Sequence, residues 1–153
     1  MSRRRDRRRM AEAIRWAETG LRRTGDNPSV GCVVCDRDGH VIAAARTGDG
    51  GRPHAEEAAL ADVGAAAEGG TAYVTLEPCR ERSTGAPACS ERLVAAGLDR
   101  VVIALRDLHP LGAGGLARLA RSGVRIQIGL KAQAAAPLYR DFFARAAAEA
   151  AGR

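Results

Sequence analysis

The chain has 153 residues, 46% of them hydrophobic but only 3% aromatic, with a formal net charge of +6. That length suits one ordinary domain burying roughly two-thirds of its unfolded surface, around a core of Ala, Val, Leu and Ile. The sequence has no apolar run near the roughly 18 residues of a membrane span, and no apolar segment follows the N-terminal charges as a secretory signal requires. A cytoplasmic location is expected, with the four Cys as thiols or metal ligands rather than disulfides. The charge is local: residues 3–9 (RRRDRRR) hold six Arg and one Asp, which leaves the remainder close to +1. Residues 1–9 therefore read as a disordered, solvated Arg-rich arm, and 10–153 as one domain. The body lacks the basic face that nucleic-acid binding needs.

Along the chain, Met10, Ile14, Ala17 and Leu21 recur at helical spacing and predict a first amphipathic helix from about Arg7 to Arg22. Asn27-Pro28 lies past its end. Val30 to Cys35 is a β-rich run, Asp38-Gly39 a hairpin turn and Val41 to Ala45 the return strand. Cys32 and Cys35 have C-x₂-C spacing, but positions three apart on a strand face opposite sides, so they read as buried small side chains. A loop over 46–53 leads to a helix from His54 to about Val63, on which Glu57 reads as a surface charge. Thr71 to Leu76 is a strand ending in Glu77-Pro78-Cys79. A polar loop over 80–88 precedes a helix from Cys89 to about Ala96. Then follow a strand at Arg100–Leu105, a glycine-rich loop, a helix at Leu116–Arg121, a strand at Val124–Ile128 and a helical stretch from about Ala132 to Ala151, interrupted at Pro137. Leu138, Phe142 and Ala146 share a face there that is expected to pack on the sheet. This succession predicts an α/β protein: a three-layer α/β/α arrangement in which a five-stranded mixed sheet carries helices on both faces.

Chemistry concentrates in His54-Ala55-Glu56 and in Cys79 and Cys89. Zn²⁺ takes imidazole nitrogen and thiolate, and three protein ligands leave a position open, as catalytic sites require. His54 and Cys89 fall at helix starts, and Cys79 lies just past a strand's carboxyl end, where open α/β sheets bind ligands. His54, Cys79 and Cys89 are the candidate metal ligands. Glu56, one residue beyond Ala55 in the same turn, is the candidate general acid/base.

Together with Asn27-Pro28-Ser29-Val30-Gly31-Cys32, Thr75-Leu76-Glu77-Pro78-Cys79 and Ala95-Ala96-Gly97, these residues resemble the cytidine deaminase-like superfamily. The chain looks most like the deaminase domain of the bacterial riboflavin-biosynthesis deaminase/reductase, without a reductase domain. The resemblance implies a Zn²⁺ enzyme that removes an amine from a diaminopyrimidine ribosyl phosphate, with Glu56 moving protons rather than binding metal. It also implies a homodimer or homotetramer and a small-molecule aminopyrimidine substrate. By the same resemblance Asn27 contacts the ribosyl part or the base. The loop residues Arg80, Glu81, Arg82, Ser83 and Thr84, with Asp107 and His109, hold the rest of the substrate and its phosphate.

The substrate-reading loops depart from the family pattern. Where the family has Cys-Ser-His and later Thr-Pro-Pro-Cys, this chain has Cys79-Arg80-Glu81 and Ala86-Pro87-Ala88-Cys89, with one extra residue between. Where the family has Asp-Pro-Asn-Pro and a Gly-Lys-Gly-like element, it has Asp107-Leu108-His109-Pro110 and Gly112-Ala113-Gly114-Gly115. These changes leave open a different aminopyrimidine nucleoside or nucleotide from a specialised-metabolite pathway. An RNA-acting deaminase would use the Arg arm. A non-catalytic zinc domain would have no need of Glu56.

Overall fold

Val33, Val34, Val74, Val101, Val102 and Ile103 favour extended backbone, and the strands that carry them form the buried centre of the sheet. The computed structural model describes residues 2–80, 82, 84–109 and 113–152. Its elements are α1 (Arg3–Glu18), β1 (Gly31–Cys35), β2 (Val41–Arg46), α2 (Ala55–Leu60), β3 (Thr71–Leu76), α3 (Cys89–Ala95), β4 (Arg100–Leu105), α4 (Gly115–Arg121), β5 (Arg125–Ile128), α5 (Ala132–Ala135) and α6 (Arg140–Ala151). The sheet order is β2-β1-β3-β4-β5. β1 runs antiparallel to β2 and β3, and β3, β4 and β5 are parallel. The expected five-stranded mixed sheet is therefore present.

Alternation along the strands divides the core into two layers. Cys32, Val34, Val74, Val101 and Ile103 meet Ala55, Ala59, Leu93, Leu116 and Leu119 from α2, α3 and α4. On the other face Val33, Cys35, Tyr73, Val102 and Ala104 meet Met10, Ala13 and Ile14 of α1 and Ala135 of α5. Cys32 and Cys35 thus lie on opposite faces, and all four cysteines are free thiols. α1 crosses β1 at Gly31, where a Cβ would run into the Ala13 carbonyl. The order of the strands leaves the carboxyl ends of β3 and β4 side by side, and Cys79 and Asp107 follow directly from them.

The expected disordered arm is not what residues 2–9 form. α1 begins at Arg3, with the Ser2 hydroxyl accepting the Arg5 amide at 3.2 Å as its N-cap. The physical reason is Asp6, which continues the inward stripe of Met10, Ala13 and Ala17 and is buried. Its carboxylate accepts the Tyr73 hydroxyl at 2.7 Å. Arg100 Nη2 lies 2.7 Å from the same oxygen, an ion pair by distance although its N–H is not aligned for a hydrogen bond. Asp6→Ala leaves the largely covered Arg100 uncompensated and is expected to destabilise the fold by about 3 kcal/mol. Chemical denaturation beside Asp6→Asn, which keeps an acceptor for Tyr73, checks this: equal loss in both variants would assign the effect to charge alone.

Candidate active site

His54 is the N-cap of α2, in extended conformation, so it stands at the helix start while Glu56 follows in the first turn. Cys79 leaves β3 through Pro78, and Cys89 opens α3. The thiols are brought together by backbone: the Cys89 amide donates to Cys79 Sγ at 3.2 Å. The Ser90 amide and hydroxyl both donate to the Cys79 carbonyl, at 3.2 and 2.9 Å. Arg118 of α4 locks the arrangement by donating to Ser90 Oγ at 3.0 Å and to the Arg80 carbonyl at 2.7 Å.

His54 Nδ1 lies 3.3 Å from Cys89 Sγ and 3.8 Å from Cys79 Sγ, and all three donor atoms fall within 4.8 Å of one another. A tetrahedral zinc ion, with bonds of about 2.3 Å to sulfur and about 2.0–2.1 Å to nitrogen, needs N···S separations of about 3.5 Å. The observed pair of distances brackets that value, and one imidazole with two thiols is a donor set suited to zinc, so the residues fit the ion. A hydrogen bond from Cys89, with help from His54, holds the Cys79 thiol well below its ordinary range; the same bond and burial push Cys89 up. A divalent cation between the two sulfurs would let both be thiolates.

Beside these atoms is a cavity of about 430 Å³, within the size range of small-ligand sites. Glu56 forms part of its wall while only 3% exposed, and burial lifts its carboxyl above the ordinary carboxylate range. Such a group accepts and returns a proton more readily at neutral pH than an exposed glutamate does.

Of the sequence-predicted substrate residues, the structure gathers Asn27, Arg82, Asp107 and His109 around this cavity. The Asn27 amide donates to the Gly51 carbonyl at 3.0 Å. The Asp107 carboxylate accepts the His109 amide at 2.8 Å, and burial raises its pKa. Arg80 is exposed and lies against Gly114, outside the cavity wall. Thr84 is also exposed, its hydroxyl accepting the Ala86 amide. Glu81 and Ser83 lie outside the described residues.

Two sequence expectations are corrected here. Leu138 packs against the sheet, but Phe142 and Ala146 line the cavity, because α6 runs past its mouth instead of lying flat on the strands. Phe142 stacks on His109 with ring centroids 5.6 Å apart, tying α6 to the loop after β4. Glu57 is no free surface charge: it pairs with Arg82 and Arg92. Sequence reading also missed Glu77. It is buried at the end of β3, where its carboxylate accepts the amides of Asp107 at 3.2 Å and Gly114 at 3.0 Å. The available signal was a lone acid directly after an apolar strand.

Comparison with known proteins agrees with this geometry. A family model described as the cytidine and deoxycytidylate deaminase zinc-binding region matches residues 3–105. The riboflavin biosynthesis protein RibD of Escherichia coli K12 is 42% identical over 137 residues, covering 89% of this chain and 37% of that protein. A diaminohydroxyphosphoribosylamino-pyrimidine deaminase of Buchnera aphidicola is 35% identical over 137 residues, covering 89% of this chain and 92% of that one. The solved structure of Acinetobacter baumannii RibD superposes with a TM-score of 0.84 at 41% identity, over 91% of this chain and 39% of that one. The chain thus spans well under half the length of these RibD relatives but nearly all of the Buchnera protein. The family match covers more than half of the sequence, from α1 through β4, and includes every candidate metal ligand; the chain belongs to the cytidine and deoxycytidylate deaminase zinc-binding family.

Proposed function

We propose that the protein is a zinc-dependent hydrolytic deaminase of a diaminopyrimidine ribosyl phosphate of the riboflavin-pathway type, replacing an exocyclic amine by oxygen and releasing ammonia. The observation that carries the reading is Glu56, a buried carboxyl with a raised pKa, placed in the same cavity wall as His54 and Cys79. The substrate class follows from 35% identity across nearly the whole Buchnera deaminase. His54, Cys79 and Cys89 would hold zinc, which when bound would supply Lewis-acid activation of a water molecule at neutral pH.

The residues of the chain do the rest. Glu56 takes a proton from the attacking water and delivers it to the ring nitrogen. It then passes the second proton to the departing amine, so that one water is consumed and one ammonia leaves. The stacked His109–Phe142 pair gives the pyrimidine an aromatic wall. Asn27 and Asp107 offer hydrogen-bonding groups, and Arg82 is the cation for the phosphate. Four free cysteines support a reducing, cytoplasmic setting, and among the described residues no helix is long and apolar enough to cross a membrane. Self-association as a homodimer or homotetramer belongs to the same reading, and the exposed Trp16 and Leu21 offer apolar surface for it.

Ammonia release from the diaminopyrimidine ribosyl phosphate, with and without its phosphate, tests the proposal. Turnover is expected with the phosphorylated compound and a kcat/KM at least about tenfold lower without it, the weight of one charge-assisted contact. No ammonia from zinc-loaded protein would overturn the substrate and move the search to other aminopyrimidines.

A further inference from the structure

Glu57 follows Glu56 on α2, and the two neighbouring carboxylates have opposite surroundings. Glu56 is buried beside the candidate metal ligands. Glu57 is partly exposed and sits between two guanidinium groups: its Oε1 accepts Arg82 Nη1 at 2.9 Å, and its Oε2 lies 3.1 Å from Arg92 Nη2 of α3. The Arg82 side chain is only 4% exposed, although Arg82 stands in the loop between Cys79 and α3 rather than on a helix or strand. It lines the same cavity as His54, Glu56 and Cys79.

A guanidinium withdrawn from water needs a matching charge, and Glu57 supplies it. That pairing commits one of the five N–H donors of Arg82, and its buried Nε has no acceptor among the described residues. Glu57 and Arg92 stand behind Arg82, outside the cavity lining, and two arginines against one glutamate leave this three-residue cluster with one net positive charge. Arg82 is therefore neutralised enough to stay buried but not saturated, the state of a cation prepared for a second acceptor. A loop arginine without such a tether would lose several rotatable bonds of freedom on meeting its ligand.

We propose that Glu57 is a positioning residue: with Arg92 behind it, it holds the Arg82 guanidinium against the cavity to receive the anionic group of the ligand. The anion is a phosphate monoester, an identification that rests on the substrate class proposed above. The helical turn that carries the proton-moving glutamate thus also sets the place of the cation that grips the far end of the substrate.

The test is a thermodynamic cycle on the zinc-loaded full chain, with ribose 5-phosphate as the calorimetric probe. Glu57→Gln and Arg82→Ala are each expected to weaken binding about tenfold, the loss of one charge-assisted contact. The double variant should be no weaker than Arg82→Ala alone, because Glu57 acts through Arg82. Unchanged affinity in Glu57→Gln, or losses that add in full, would overturn the role. In turnover, Glu57→Gln should raise KM for the phosphorylated substrate with kcat nearly unchanged, and leave KM for the dephosphorylated compound alone. A residue that merely supports the fold would instead lower zinc content or affect both compounds equally. Glu57→Asp keeps the charge at shorter reach and should recover part of the affinity, which covers the case of a poorly folding Gln variant. Wild-type protein that fails to bind ribose 5-phosphate overturns the inference even if ammonia is released. Glu57-dependent binding without ammonia release upholds the positioning role and overturns the proposed diaminopyrimidine substrate instead.

Discussion

Glu56→Gln is expected to lower kcat for ammonia release by about 10³-fold or more, while zinc content and thermal stability stay near wild type. The magnitude is that of losing a positioned acid/base group. Glutamine preserves the shape and hydrogen-bonding capacity of the side chain, so the packing around a residue 3% exposed is kept and the ligand triad is untouched. What the amide cannot do is exchange a proton with water, ring nitrogen and leaving amine in turn. The kinetic signature separates the two adjacent glutamates. Loss at Glu56 is expected to fall on kcat with little change in KM, because the proton transfers proposed for it belong to the transition state. Loss at Glu57 falls on KM for the phosphorylated substrate. Metal analysis and thermal unfolding of the same Glu56→Gln sample check that the defect is chemical, and retained turnover there would sink the assignment of Glu56 as the proton carrier.

The parts of the molecule that were legible from sequence are those set by short-range pattern. β3 and β4 read as Thr71–Leu76 and Arg100–Leu105 and are observed over those residues, because both are rich in β-branched and aromatic or aliphatic side chains and are bounded by glycine, proline or charge. The convergence of His54, Cys79 and Cys89 was legible because each lies near the end of a recognisable helix or strand, where the chain must present side chains to one end of the sheet. Contacts made across long stretches of sequence were not. Phe142 and Ala146 looked like sheet-packing residues because helical periodicity reports which side chains share a face, not what that face meets. Glu57 looked like a surface charge because its partner Arg82 lies 25 residues away in a loop without periodicity. The Arg-rich arm differs again: its composition suits a solvated tail, but Asp6 stands four residues before Met10 and seven before Ala13, on the stripe that buries α1.

Cys89→Ala is expected to abolish stable zinc binding and with it turnover, because two remaining protein donors no longer fix a tetrahedral site. If wild-type protein is studied with free zinc about a thousandfold above its dissociation constant, the lost linkage is about 4 kcal/mol. For a chain of this size that lowers the melting temperature by roughly 8–16 °C, and a chelator should impose a similar shift on the wild type but none on the variant. The control is Cys32→Ala. Cys32 is also a fully buried thiol, and burial likewise raises its pKa. It points from β1 into the apolar layer formed with α2, α3 and α4, and it is not among the donor atoms that converge on His54. Its removal should cost about 1 kcal/mol of packing and leave zinc content and chelator sensitivity as they were. Two buried thiols of one chain, changed in the same way, should therefore differ in metal content rather than merely in stability. Zinc lost from both would join Cys32 to the site and undo the three-residue ligand set.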